Sequence, residues 1–416
     1  MSGRQSDGND ELLMKIVRTS ILLWMSCILL FLSGCWDLRY LDKLGVVLAM
    51  GIDEDLSGKQ KLQLTVQVVL TQNVAALSKG GGGGESPVTT YTDTGDTIFE
   101  AIRKMSAKTS RRLFFSHTQM LLISEGMSRK GIYPLLDLIE RNPDIRTNIS
   151  VAVTRGSTAK ELLQVKTQME AIPVIQILDM IEINQESYGM NYPVYVKDLI
   201  KTAGRGLMQA SVPTVRMEGD KAKSNTSDNT STIPAGAIPA LTTMAVFRDG
   251  KLVEFLKPKE SRGLSWLQGK VKNTVVKLAC PESEGYLIVE VSNAHNRTTV
   301  RNVKGMPVVD ITLSLIGNLQ EITCPGIDVA DEKAMDRIGM MTSEAVKQEA
   351  EAVINILQKK AKTDALGWAK EIYIHQPSLW RRIVPNWETE FPKVKHEIKC
   401  TTKINGSGIR SRSIVK

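Results

Sequence analysis

The chain has 416 residues, a formal charge of +8, 42% hydrophobic and 24% charged residues, a balance close to that of folded globular proteins. It excludes a wholly disordered chain and a polytopic membrane protein, and the length predicts two or three globular regions. Ahead of Cys35, the bases Arg4, Lys15 and Arg18 are offset by Asp7, Asp10 and Glu11, so the basic excess lies downstream and suits an anionic lipid surface rather than nucleic acid.

From Thr19 to Gly34 the chain carries no charge and is rich in Ile, Leu, Met and Phe, with Lys15 and Arg18 before it. The run falls short of the ~20 apolar residues of a spanning helix and ends in small residues, so residues 1–34 read as a signal peptide that is removed. Leu32-Ser33-Gly34-Cys35 forms a lipobox, in which small residues let a peptidase reach the bond before a cysteine whose sulfur carries diacylglycerol. Cys35 is the expected lipidation site. At about 0.8 kcal/mol per buried CH₂, two acyl chains contribute on the order of 20 kcal/mol of membrane affinity. Residues 1–13 have no role in this signal, and the start, Met1 or Met14, stays open.

Leu44 to Ile52 predicts a buried strand running into a turn at Asp53–Gly58, and Leu62 to Leu70 alternates with period two, completing a hairpin. Asp53, Asp55, Ser57 and Gly58 mimic the opening of a calcium loop, but Leu64 stands where a bidentate Glu is required. Gly80 to Gly84 lacks the Lys and Ser or Thr of a phosphate loop and reads as a surface connection. Helices are predicted from Asp96 through Met105 and over Ile132–Ile139, strands over Gln119–Ser124 and Ile149–Val153, and a helix through Leu162 and Leu163 capped by Ser157.

Residues 218–238 are dominated by Lys, Ser, Asn, Asp and Thr and mark the expected linker between an N-terminal α/β region (35–217) and a C-terminal α+β domain (239–416). Short strands follow at Met244–Phe247, Leu252–Leu256, Tyr286–Val291, Thr298–Val303 and Val309–Leu315, implying an antiparallel sheet. Apolar residues at three-and-four spacing from Asp331 to Lys362 predict a long helix, roughly 45 Å, laid across it. The fold class is mixed α/β (α+β), with mixed or antiparallel sheets packed by helices and a long helix near the C-terminus.

No constellation nominates an enzyme, a cofactor or a metal. His117, His295, His375 and His396 form no HExxH pattern, and Gly263-Leu264-Ser265-Trp266-Leu267 lacks the last glycine of a hydrolase elbow. Cys280, Cys324 and Cys400 show no CxxC pair; one disulfide among them is compatible with the sequence, with its partners undetermined.

In sequence, four stretches in register resemble the Ger(x)C family, the lipoprotein C subunits of germinant receptors in endospore-forming bacteria. They are Gly34-Cys35-Trp36-Asp37 with Gly51-Ile52-Asp53; Phe115 and His117 through Glu125-Gly126 to Arg141, Asn142-Pro143 and Arg146; Ala245-Val246-Phe247 with Glu260-Ser261-Arg262-Gly263 and Trp266; and Asp364, Gly367, Pro377, Trp380, Trp387 and Phe391. The resemblance implies a non-catalytic subunit required for the response to nutrient germinants, held on the outer face of the inner spore membrane beside A and B subunits. A solute-binding lipoprotein that captures a small germinant itself is the alternative. Of the marked residues, Trp36, Asp37, His117, Arg141, Arg146, Trp380 and Trp387 are expected to serve structure or an interface. Arg141 and Arg146 are expected to fix a turn through loop carbonyls or Asp144, and His117 to sit on a strand near Phe114.

Overall fold

A computed structural model describes residues 7–31, 43–78, 86–281, 283–325, 327 and 331–406. Residues 1–44 and 45–416 separate into two units. The first holds helix α1 (Asp7–Phe31), whose apolar side chains from Leu12 to Met25 are exposed.

The second unit opens with the expected hairpin, β1 (Leu44–Glu54) and β2 (Leu62–Val69), whose alternating residues pair antiparallel. Helix α2 (Thr71–Ser78) precedes β3 (Val88–Gly95). Thr97 accepts from the Glu100 amide at 3.1 Å and starts α3 (Ile98–Lys104). Then come β4 (Arg112–Phe114), β5 (Met120–Ser124), α4 (Glu125–Lys130), α5 (Tyr133–Arg141) and β6 (Ser150–Thr154). The cap of α6 (Ala159–Gln164) is Thr158, not Ser157: Thr158 and Glu161 exchange side-chain and backbone hydrogen bonds at 3.0 and 2.9 Å. Ser157 Oγ instead accepts from the Met217 amide at 2.9 Å. Two helices that the sequence reading did not mark, α7 (Pro173–Ser187) and α8 (Val196–Arg205), lead to β7 (Ser211–Gly219).

The polar stretch expected as a linker turns back on itself. It contains α9 (Asp228–Ser231) and joins β7 to its antiparallel neighbour β8 (Ala237–Arg248). Buried Asn229 donates to the Lys166 and Ala237 carbonyls at 2.7 and 2.8 Å and accepts from the Ala237 amide at 2.7 Å. Polar composition suits a solvated excursion from a sheet as well as a spacer between regions. With β9 (Lys251–Phe255) the sheet is complete, in the order β3-β2-β1-β5-β6-β7-β8-β9, with β4 beside β1. Its centre is parallel and its flanks antiparallel.

After α10 (Pro258–Leu267), a second sheet is built from β10 (Thr274–Ala279), β11 (Tyr286–Val303) and β12 (Met306–Ile322). The two short strands expected at 286–291 and 298–303 are one: pairing with β12 carries the backbone through the polar residues between them, with a register shift at Val291 and Asn293. Helix α11 (Glu332–Asn355) continues into a π-helical stretch to Ala361 and covers this sheet, as its apolar stripe predicts. Helices α12 (Trp368–His375), α13 (Pro377–Ile383) and α14 (Trp387–Glu390) then lead to β13 (Lys395–Gly406), which joins β12 in parallel and makes this sheet mixed. A disulfide joins Cys280 at the end of β10 to Cys324 after β12, and Cys400 is free.

Period-two alternation divides the large sheet between two cores. In β5, Met120 and Leu122 pack under α6 and α7 with Leu162, Val174 and Ile177. Leu121 and Ile123 face a larger core that runs without a break from Val47 to Val394 and includes the inner faces of both sheets. Helix α10 is the joint. Ser261 Oγ accepts from the Met244 amide in β8 at 2.9 Å and donates to the Met190 carbonyl at 2.8 Å. Arg262 donates to the Val275 carbonyl in β10 at 2.8 Å and to the Glu349 carboxylate of α11 through two nitrogens. Trp266 Nε1 adds a third hydrogen bond to Glu349, at 3.1 Å. At Gly263 a β-carbon would lie 2.1 Å from the Glu349 carbonyl, so only glycine lets the two helices meet this closely.

Removing one partner leaves the other as an uncompensated buried charge. Glu349→Ala is therefore expected to cost about 3–5 kcal/mol of stability, and Arg262→Met with Glu349→Leu far less. Denaturant midpoints would decide; equal losses for the single and double variants would contradict the pairing argument.

Candidate functional site

The residues marked by sequence fall into separate places. At the exit of β1, Gly51 lies under α6, where a β-carbon would come within 2.9 Å of Ala159 and Leu163 side chains. Two residues on, buried Asp53 accepts from the Ala159 and Lys160 amides at 2.7 and 2.9 Å, satisfying the first turn of α6. Burial pushes the Asp53 carboxyl above its ordinary range despite these two donors. Asp53 is thus still in β1 and caps α6, pinning the first hairpin to that helix, while the expected turn follows it, with the Gly58 amide donating to the Asp55 carbonyl at 3.2 Å.

In the second stretch, Phe115 is buried, while His117 lies in an exposed turn between β4 and β5 rather than on a strand. Its ring centroid is 5.6 Å from that of Phe114. Arg141 does not reach Asp144 or a loop carbonyl; its Nε donates to Asp137, one helical turn back, at 2.9 Å. The turn is closed instead by Asn142 Oδ1, which accepts from the Asp144 amide at 3.0 Å, and Arg112 approaches Asp144 at 3.8 Å. Arg141 and Arg146 are both exposed.

The C-terminal marks converge on one cluster. Asp364 is buried and accepts from the Trp368 and Ala369 amides at 3.0 and 2.7 Å, capping α12. The Trp387 indole N–H lies beside the same carboxylate without meeting full hydrogen-bond geometry. Trp380 meets Trp387 edge to face with centroids 5.4 Å apart, and Phe391 touches Trp387 and Trp368 at 5.8 and 5.6 Å. Trp380 is buried and Trp387 half-buried, so this pair packs into the body. Gln358, which the sequence did not single out, holds the far side by donating to the Phe391 and Val394 carbonyls at 3.0 and 2.8 Å.

Beside this cluster the body opens into a cavity of about 630 Å³, between the segment 192–211 and α12. Its floor is a polar network: the Tyr192 hydroxyl donates to Gln268 Oε1 at 2.5 Å and lies 2.8 Å from Ser211 Oγ, and Gln268 Nε2 donates to the Ala365 carbonyl at 2.6 Å. Full burial pushes the Tyr192 hydroxyl far above its ordinary pKa and keeps it protonated. Nothing in periodicity or spacing marked these three residues. Cys35, Trp36 and Asp37, like the glycines 80–84, lie outside the described residues.

Residues 37–217 match the family described as the spore germination protein N-terminal domain, and residues 242–408 match the spore germination B3/GerAC-like C-terminal family. The chain is 28% identical over 399 residues to spore germination protein KC of Bacillus subtilis (strain 168), covering 95% of this chain and 97% of that protein. Spore germination protein B3 of the same organism is 23% identical over 396 residues, covering 94% and 97%. Spore germination protein GerQC of Bacillus cereus is 21% identical over 382 residues, covering 91% and 96%. Among solved structures, the crystal structure of the GerBC protein shares the fold with a TM-score of 0.54 at 17% identity, covering 86% of this chain and 96% of that one.

The Asp364 geometry predicts a pH dependence. Burial raises its carboxyl from 3.8 to about 6, an effect only partly offset by the amide donors of α12. The folded state therefore holds this proton more tightly than the unfolded chain. That contribution is fully present below the unfolded pKa and is lost as pH rises through about 6. Asp364→Asn is expected to be less stable overall and to lose up to about 3 kcal/mol of pH dependence between roughly pH 4 and 7. Parallel stability curves for the two proteins across that interval would contradict the assignment.

Proposed function

Since the chain belongs to the Ger(x)C family of spore germination proteins, we propose that it is the lipid-anchored, non-catalytic C subunit of a germinant receptor. In this reading residues 1–34 are removed, Cys35 carries the diacylglycerol, and the body sits on the outer face of the inner spore membrane beside A and B subunits. The observation that carries it is the start of the family match at residue 37, two positions after the lipobox cysteine, with almost all the rest of the chain matched.

Two structural features support the reading. Among the described residues no helix is long and apolar enough to cross a membrane, which suits attachment through a covalent lipid. The Cys280–Cys324 disulfide suits the oxidising side of a membrane rather than a reducing cytoplasm. Tethering would raise the local concentration of the body next to its partners, so modest contacts, with exposed Arg141, Arg146 and His117 as candidates, suffice for assembly. Trp36 and Asp37 would link the lipid to the body.

Metabolic labelling with an alkyne palmitate analogue tests the anchor. Wild-type protein is expected to carry the label and to partition with the detergent phase, and Cys35→Ala to lose both along with most of the nutrient response. A Cys35→Ala form that stays in the membrane and supports normal germination would sink the proposal.

A further inference from the structure

The cavity beside α12 has a volume inside the range of small-molecule sites. Its walls are apolar, with Leu199 from α8, Leu207 and Met208 from the following turn, and Tyr373 and Ile374 from α12. The inner face of α12, through Trp368, Ala369 and Ile372, is spent on the core, yet Tyr373 and Ile374 remain 52% and 55% exposed at the mouth. The polar floor is already satisfied: Tyr192, Ser211 and Gln268 bond to one another and to the Ala365 carbonyl, and offer little to a ligand's charge.

Charge is concentrated at the rim instead. Lys201, Lys270 and Lys370 come from three different segments, and all three are exposed. Among the described residues none of them forms an ion pair, while Lys270 Nζ stands 5.8 Å from the Tyr192 ring centroid. The lone carboxylate among the described lining residues, Asp198, is turned to the chain itself, accepting from the Tyr195 amide at 3.3 Å at the start of α8. Among the described residues no arginine lines the cavity, so the described lining offers cations without the fork that favours phosphate.

We propose that this cavity binds a small organic monocarboxylate, its apolar body between Leu199, Met208 and Ile374 and its carboxylate among Lys201, Lys270 and Lys370. A saturated floor, apolar walls and unpaired cations at the mouth fix that orientation, apolar end inward. The walls come from segments on both sides of the polar excursion at 218–238, so a bound acid bridges the two halves of the body. The proposal does not depend on the receptor reading.

The test is a ¹⁹F NMR titration of the full chain in neutral detergent with 4-fluorophenylacetate, against micelles alone, with the neutral 4-fluorophenylacetamide as comparison. Saturable binding is expected for the acid, at least about ten-fold weaker for the amide and for a Lys201→Gln, Lys270→Gln, Lys370→Gln variant of unchanged circular dichroism. Binding no greater than to micelles would overturn the site. Equal binding of acid and amide, or an unaffected triple variant, would overturn its anion specificity.

Discussion

The buried contact between Arg262 and Glu349 is the constraint on which the body depends. It occurs where α10, coming off the large sheet, crosses α11, the cover of the small one, and Arg262 also holds a carbonyl of β10. A charge pair in such a place is weak evidence for stability, because desolvation offsets most of its attraction. Its consequence here is positional: each charge needs the other, so α10 and α11 have one acceptable register. Gly263 removes the side chain that would hold them apart, and Ser261 ties the same turn to β8. The stretch Glu260-Ser261-Arg262-Gly263 and Trp266 thus has a mechanical explanation, in which two sheets share one core.

Much of this was legible from the sequence. The β1–β2 hairpin and β5 follow from apolar runs and period-two patterns, with β5 buried on both faces, and α5 and the long α11 from three-and-four spacing, because each helix has one face on a core and one in water. What failed shares a cause. Arg141 was read as a turn brace, and the contacts of Asp53 and of the 218–238 stretch went unforeseen, because each is set by a partner distant in sequence or by a nearer competitor. Asp53 meets an amide 106 positions away, Asn229 reaches back to Lys166, and Asp137 captures Arg141 first. One signal was present: Glu349 lies in phase with Val346 and Val353 on a buried stripe, and a carboxylate there demands a buried cation. The cavity gave no signal, since Tyr192, Ser211 and Gln268 come from three unrelated local patterns.

The marked residues that fold the chain and those left for a partner now separate. Gly51, Asp53, Arg262, Gly263, Trp266, Asp364, Trp380 and Phe391 are absorbed by caps, crossings and aromatic packing. His117, Arg141 and Arg146 are exposed and contribute little to the core. A packed body with spare surface groups suits the proposed lipid-anchored subunit, a protein that would act by where it is held.

A tag at the C-terminus and a pull-down from spore inner membrane, read by mass spectrometry, test that account most directly. Co-purification of an A and a B subunit of a germinant receptor is the predicted result. Recovery of the protein alone, or with an unrelated permease, would contradict it.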